Sequence, residues 1–134
     1  MPKKNIADVS VGDIFSAAEE VDKYRTVYYA GASGDFNPIH IDPEFGQMVG
    51  LGGVILHGLC TFGFMSKTVT DWLGDPGALK DIKCRFAKPV HLGDTITTEA
   101  TVTAIDGNRV NLDLKVVNQD SAEVLSMASA VAEL

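Results

Sequence analysis

The spacing of apolar residues changes period once along this chain, near residue 74, dividing it into a helical half and an extended half. In the first half, residues 11–19 read as a short extended stretch whose Gly12-Asp13 marks a turn. Asp22 then serves as N-cap for a helix running to about residue 32, with Tyr24, Val27 and Tyr28 on one face. A second helix opens at His57-Gly58 and runs to about Leu73. Leu59, Phe62, Phe64, Met65, Val69, Trp72 and Leu73 make it apolar nearly all round, the pattern of a buried helix. Gly74-Asp75-Pro76-Gly77 stops it. Beyond that point the period is two. Ile82, Cys84 and Phe86 alternate with Lys83 and Arg85, and residues 96–105 alternate through threonines. Asp106-Gly107-Asn108 signals a hairpin, after which Val110, Leu112, Leu114 and Val116 alternate. Gln119-Asp120-Ser121 breaks the chain before a last strand over residues 124–131. Late strands joined by hairpins predict an antiparallel sheet with the long apolar helix as its cover, an α+β fold.

Composition narrows the picture. The 134 residues, 46% hydrophobic and 22% charged, fit one soluble domain (residues 1–134) with a core that needs no disulfide or metal. Cys60 and Cys84 lie in apolar surroundings and read as reduced core residues. Met-Pro-Lys-Lys-Asn is not followed by an apolar stretch, so no signal peptide is expected, and no apolar run approaches the ~18 residues that cross a bilayer. The expected location is the cytoplasm. A net charge of −7 and a pI near 4.7 argue against nucleic acid as a partner. Four of the eleven basic residues, Lys80, Lys83, Arg85 and Lys88, nevertheless crowd into nine positions. They read either as lysines protecting a sheet edge or as an anion-docking patch.

The densest chemistry lies in residues 29–40, Tyr-Ala-Gly-Ala-Ser-Gly-Asp-Phe-Asn-Pro-Ile-His. Asp35 and His40 flank a stiff Asn37-Pro38 pair, and together they can hold a water and move its protons. Pro38 pushes Asn37 away from helix, so the segment is expected to be an ordered, non-helical turn, tied together by the Asn37 amide. The same residues also suit a plain turn, with Asp35 capping it and His40 on the surface. Gly58 opens the buried helix, where unbonded N–H groups and the helix dipole favour negative charge, and its lack of a Cβ lets a carbonyl approach. It reads alternatively as a packing glycine. His57 reads as a structural partner. Ser66, two turns along with Phe62 and Val69 on the same face, either faces a site or bonds its own helix. Asp42 and Glu44 beside His40 do not suggest metal, because Asp42-Pro43 reads as a helix start and no second histidine lies at ligand spacing. No Gly-x-Gly-x-x-Gly follows a strand and no Gly-x-Ser-x-Gly is present, which excludes dinucleotide and serine-hydrolase readings.

The twelve-residue string, with His57-Gly58, resembles the MaoC-like dehydratase or R-specific enoyl-CoA hydratase family of the hot dog superfamily. The resemblance covers nearly the whole chain and is strongest over residues 28–66. It implies a sheet wrapped around a central helix, and a lyase adding water to trans-2-enoyl thioesters to give (3R)-3-hydroxyacyl thioesters in fatty acid metabolism. It implies Asp35 and His40 as the catalytic pair, Gly58 N–H at the thioester carbonyl, Ser66 organising the site, Phe62 and Val69 lining an acyl tunnel, and no cofactor beyond the coenzyme A or phosphopantetheine of the substrate. The implied partners are a second copy of the chain or a second hot dog subunit, and an acyl carrier protein for which the basic patch would serve as dock. Leu-Gly-Asp-Pro-Gly-Ala and Cys-Arg-Phe-Ala-Lys-Pro-Val are similar to the catalytic beta subunits of 3R-hydroxyacyl carrier-protein dehydratases. A hot dog acyl-thioesterase and a non-catalytic acyl-binding chain are the alternatives; the presence of both Asp35 and His40 speaks against the latter. The sequence departs from the family pattern at Gly46, usually Ala or Ser, and at Gly53, often proline. Both changes are expected to loosen the segment between motif and helix.

Overall fold

The computed structural model describes residues 2–134. Its strands are β1 (Ile14–Glu20), β2 (Leu79–Phe86), β3 (Thr95–Asp106), β4 (Arg109–Val117) and β5 (Glu123–Glu133). Between β1 and β2 lie four α-helices, α1 (Arg25–Ser33), α2 (Pro38–Ile41), α3 (Pro43–Met48) and α4 (Gly58–Leu73), and a short 3-10 turn (Pro76–Ala78). The strands form one antiparallel sheet in the order β1-β3-β4-β5-β2, which leaves β1 and β2 as its edges.

The period-two half of the sequence folds as its pattern dictates. Val110, Leu112, Leu114 and Val116 of β4 point inward and are buried, while Arg109, Asn111, Asp113 and Lys115 point outward. Ile96, Thr98, Ala100 and Val102 line the same inner face from β3. Against that face lies α4, with Met65, Val69 and Leu73 fully buried. Each such aliphatic contributes ~1.5–3 kcal/mol relative to exposure, so α4 is anchored by its inner stripe. Trp72 stacks flat on Phe15 of β1, ring centroids 4.3 Å apart, and closes the far end of the helix against the sheet edge. The sheet thus wraps one buried helix, the hot dog arrangement of α+β class.

Along β5 the alternation slips. The pairing with β4 shifts register between Leu125 and Ala128 and that with β2 between Ser126 and Ser129, and Met127 adopts a φ of 50° with its side chain exposed. This bulge lets Val124 and Leu125 turn inward before the bulge and Ala128, Ala130 and Ala132 after it.

Three expectations from the sequence change. The first helix begins at Arg25 rather than beside Asp22, whose carboxylate caps the preceding turn by accepting from Tyr24 N–H and Arg25 Nε–H. Its face of Tyr24, Val27 and Tyr28 points outward, and Thr26 and Ala30 are the buried pair. Small side chains let α1 sit close to the core, so the bulky ones are left outside. Second, α4 is not apolar all round: Leu59, Gly63, Lys67 and Asp71 form an outer stripe, and Lys67 Nζ–H donates to Asp71 at 2.6 Å. Third, the motif is not wholly non-helical. Asn37 is extended, as the following proline requires, but Pro38 occupies the first position of a one-turn helix, where a missing N–H costs nothing.

The two departures from the family pattern do not loosen their segment. A Cβ built on Gly46 would stand 1.9 Å from the Gly53 carbonyl oxygen, so the two backbones pass in direct contact. Gly53 itself adopts a φ of 135°, which disfavours any other residue. Gly46→Ala should therefore destabilise the fold by ~1–3 kcal/mol, the cost of overpacking. A urea denaturation midpoint equal to wild type would show that this contact yields freely.

Candidate active site

The loop between α1 and α2 is shaped by short-range hydrogen bonds that its polar residues make to one another. Ser33 Oγ–H donates to the Tyr29 carbonyl at 2.7 Å, and Asp35 N–H donates to Ser33 Oγ at 3.1 Å. Asp35 Oδ1 accepts from Asn37 N–H at 3.2 Å, and Asn37 Oδ1 accepts from Ile39 N–H, capping α2. One oxygen of Asp35 is spent on the turn, and the other, Oδ2, is left facing His40.

His40 arrives from the single turn of α2 and is buried, whereas Asp35 is half-exposed. The ring Nδ1–H donates to the Ile55 carbonyl at 2.8 Å, which fixes the tautomer, since a carbonyl can only accept. In its neutral form the ring presents the Nε2 lone pair to Asp35 Oδ2, 3.8 Å away. Two acceptors at this separation do not bond each other. They can hold one water by its two hydrogens and aim its oxygen lone pair outward.

His57 stands behind them, at 1% exposure. It stacks on His40 with ring centroids 3.9 Å apart and planes 23° from parallel, and Tyr29 packs against its other surroundings at 4.6 Å. Its Nε2–H donates to the Asp35 carbonyl at 2.9 Å. Directly after it α4 begins, and the N–H groups of Gly58 and Leu59 have no carbonyl within the helix to bond. The Phe86 ring lies against Gly58, so close that a Cβ at 58 would meet it at 2.9 Å.

These groups share a cavity of about 600 Å³, within the ordinary range for small-molecule sites. Tyr29, Asp35, His40 and His57 form its polar end; Ile55, Leu56, Leu59, Phe86, Val90 and Leu125 give an apolar wall; Lys88 also lines it. Burial, with Cys60 and Asp35 nearby, raises the Tyr29 phenol, so it is a protonated donor at neutral pH. Burial likewise raises the Cys60 and Cys84 thiols.

Asp35, His40, His57 and Gly58 are thus brought together, with Asn37 in support. Ser66, Phe62 and Val69 do not line this cavity. Helical phase places them on the face of Gly58, but at 1.5 Å per residue Ser66 sits ~12 Å further along the axis. Its hydroxyl donates to the Phe62 carbonyl at 3.0 Å, and Val69 is sealed in the core. Of the basic run, Lys88 reaches the cavity; Lys83 and Arg85 are exposed on edge strand β2, and Lys80 Nζ–H donates to the Gly77 carbonyl. Tyr29, Phe86, Ile55 and Leu125 were not singled out by the sequence. Tyr29 had a signal, opening the motif string one helical turn before Ser33.

The fold also supplies the second histidine that sequence spacing lacks: ligand atoms of Asp35, His40 and His57 lie within 4.8 Å of one another. Imidazole binds metal through a lone pair in the ring plane. Rings stacked nearly parallel at 3.9 Å cannot both direct in-plane lone pairs at one ion, so this trio is poorly built to chelate.

Comparison with known proteins gives the family. The family profile described as MaoC like domain matches residues 13–124. The chain is 42% identical over 111 residues to "Probable enoyl-CoA hydratase 2" of Dictyostelium discoideum, covering 81% of this chain and only 37% of that protein's length. It is 32% identical over 99 residues to "(R)-specific enoyl-CoA hydratase" of Rhodospirillum rubrum, covering 73% of this chain and 69% of the relative. Among solved structures, the "(R)-hydratase from A. caviae involved in PHA biosynthesis" superposes with a TM-score of 0.85 at 26% identity, over 94% of this chain and 97% of that one. With its profile match across most of its length and its Asp35–His40 pair set beside the first turn of the buried helix, this chain belongs to the MaoC-like domain family.

Proposed function

We propose that this protein interconverts trans-2-enoyl and (3R)-3-hydroxyacyl thioesters by adding or removing water. The observation that carries the reading is the 3.8 Å approach of Asp35 Oδ2 to His40 Nε2, two acceptors opening on one cavity beside the unbonded N–H groups of α4. A water held between them attacks C3 of the enoyl thioester. One of its protons passes to Asp35, and electron density moves onto the thioester oxygen as an enolate. Gly58 N–H meets that oxygen; one such donor lowers the barrier by ~3 kcal/mol in comparable sites. A proton held by the Asp35–His40 pair is then delivered to C2 as the enolate collapses, so the elements of one water are added across the double bond. Acidity at C2 comes from the thioester itself, so the reading includes no metal or redox group.

The apolar wall suits an acyl chain, and Lys88 suits an anionic group of coenzyme A or of a carrier's phosphopantetheine. The same held water could instead attack the carbonyl and hydrolyse the thioester. Product analysis separates the two: hydration consumes enoyl absorbance with the thioester intact, and hydrolysis releases free thiol.

A second chain belongs to the proposal. The edges β1 and β2 are unpaired, and exposed Tyr24, Tyr28, Phe36, Met48, Leu59 and Phe86 give apolar surface that a partner would cover. The partner is a second copy, or a second hot dog subunit if this chain works as half of a heterodimer.

Asp35→Asn and His40→Ala should each lower hydration of a crotonyl thioester by about 10²-fold or more. The double variant should lose little beyond either single one, because both serve one water. Near-wild-type turnover by either would refute the assignment. Chiral analysis of the hydration product should give the 3R alcohol, and a 3S product would remove the protein from this chemistry. Light scattering at micromolar concentration should give a mass about twice 14.3 kDa for the chain alone. An active monomer would dispose of the second chain.

A further inference from the structure

Among the described residues, His57 Nδ1 is the one buried side-chain polar atom with no hydrogen-bond partner. A buried acceptor without a donor weakens a fold, and an apolar ring of similar shape would avoid the penalty. What the rest of the imidazole does gives a reason for its presence. The hydrogen bonds of Asp35 to Ser33 and Asn37 are internal to its own loop. They set the loop's shape but not its distance from anything else. The 2.9 Å bond from His57 Nε2–H to the Asp35 carbonyl ties that loop to the residue that starts α4. The opposite constraint falls on His40, whose ring is held at its edge by the Ile55 carbonyl and on its face by His57 at 3.9 Å. One buried ring therefore touches both members of the pair, by an N–H on one side and a flat face on the other. It also joins the residue that caps α4 to the spacing at which the water is held.

We propose that His57 is a positioning residue: it sets the separation of Asp35 and His40 relative to the first N–H groups of α4, with Nε2–H as the working tautomer and without itself exchanging a proton. The inference rests on the hydratase reading. A loop set adrift would leave the cavity able to bind but misplace the water, and a 1 Å misplacement can cost 10²-fold in rate.

Two variants divide the two contacts. His57→Phe keeps a flat face against His40 and lacks the N–H; His57→Gln keeps an amide N–H for the Asp35 carbonyl and lacks the ring. Both are assayed for hydration of a crotonyl thioester beside wild type, with butyryl-coenzyme A binding by calorimetry and thermal midpoints as controls. His57→Phe should lose between about 10-fold and 10²-fold in kcat, with KM and butyryl-coenzyme A affinity within about threefold of wild type. His57→Gln should recover at least half of that loss on a logarithmic scale. Wild-type kcat in His57→Phe would overturn the inference, as would equal loss in the two variants or a loss confined to KM. Failure of both to fold would overturn it too, since His57 would then be an ordinary core residue. A wild-type protein with no hydration activity would instead strike at the hydratase reading itself.

Discussion

Burial of α4 against the inner face of the sheet fixes where its first turn lies, and the chemistry of the cavity is arranged around that point. A helix start has N–H groups that the helix cannot use. In water such groups are solvated; here Gly58 and Leu59, which carry them, line a partly apolar cavity. Met65, Val69 and Leu73 supply the anchorage, and the buried inner face of the sheet supplies the wall they rest on. His57 occupies the N-cap position of that start, donates to the Asp35 main-chain carbonyl and stacks on the His40 ring, so one residue links core packing to the polar end of the cavity.

Division of labour within the motif follows from the same economy of polar groups. Asp35 commits one carboxylate oxygen to Asn37 and leaves the other free; His40 commits Nδ1 to Ile55 and leaves Nε2 free. Each local bond fixes an orientation at the site. The loop's rigidity therefore depends on its own side chains rather than on regular secondary structure, and Pro38 contributes by opening a helix turn without wasting a donor.

Much of this was legible in the sequence because it is local. Alternation in β4, the hairpin at Gly107 and the inner stripe of α4 each depend on neighbours a few residues away, and Asp35 and His40 sit in one string. What failed depends on depth or on the third dimension. Tyr24, Val27 and Tyr28 form a face, but pattern alone does not say whether the core lies under them or under Thr26 and Ala30. Ser66 shares a helical face with Gly58, yet phase is silent about the rise that carries it out of the cavity. His57 is the structural partner its sequence context suggests, but the groups it partners, the His40 ring and the Asp35 carbonyl, lie too far away in the chain for pattern to name them. Gly46 and Gly53 looked like loosening changes singly, and only together do they make a close contact.

In the proposed reaction Asp35 and His40 act on one water from one side of the substrate. Hydration of a trans-2-enoyl thioester in D₂O tests it most directly, with the C2 configuration of the product read by NMR. Delivery from a shared water site should place a single deuterium at C2 on the same face as the new hydroxyl. Deuterium on the opposite face, or scrambled between both, would mean that the proton comes from elsewhere and that the pair does not work as described.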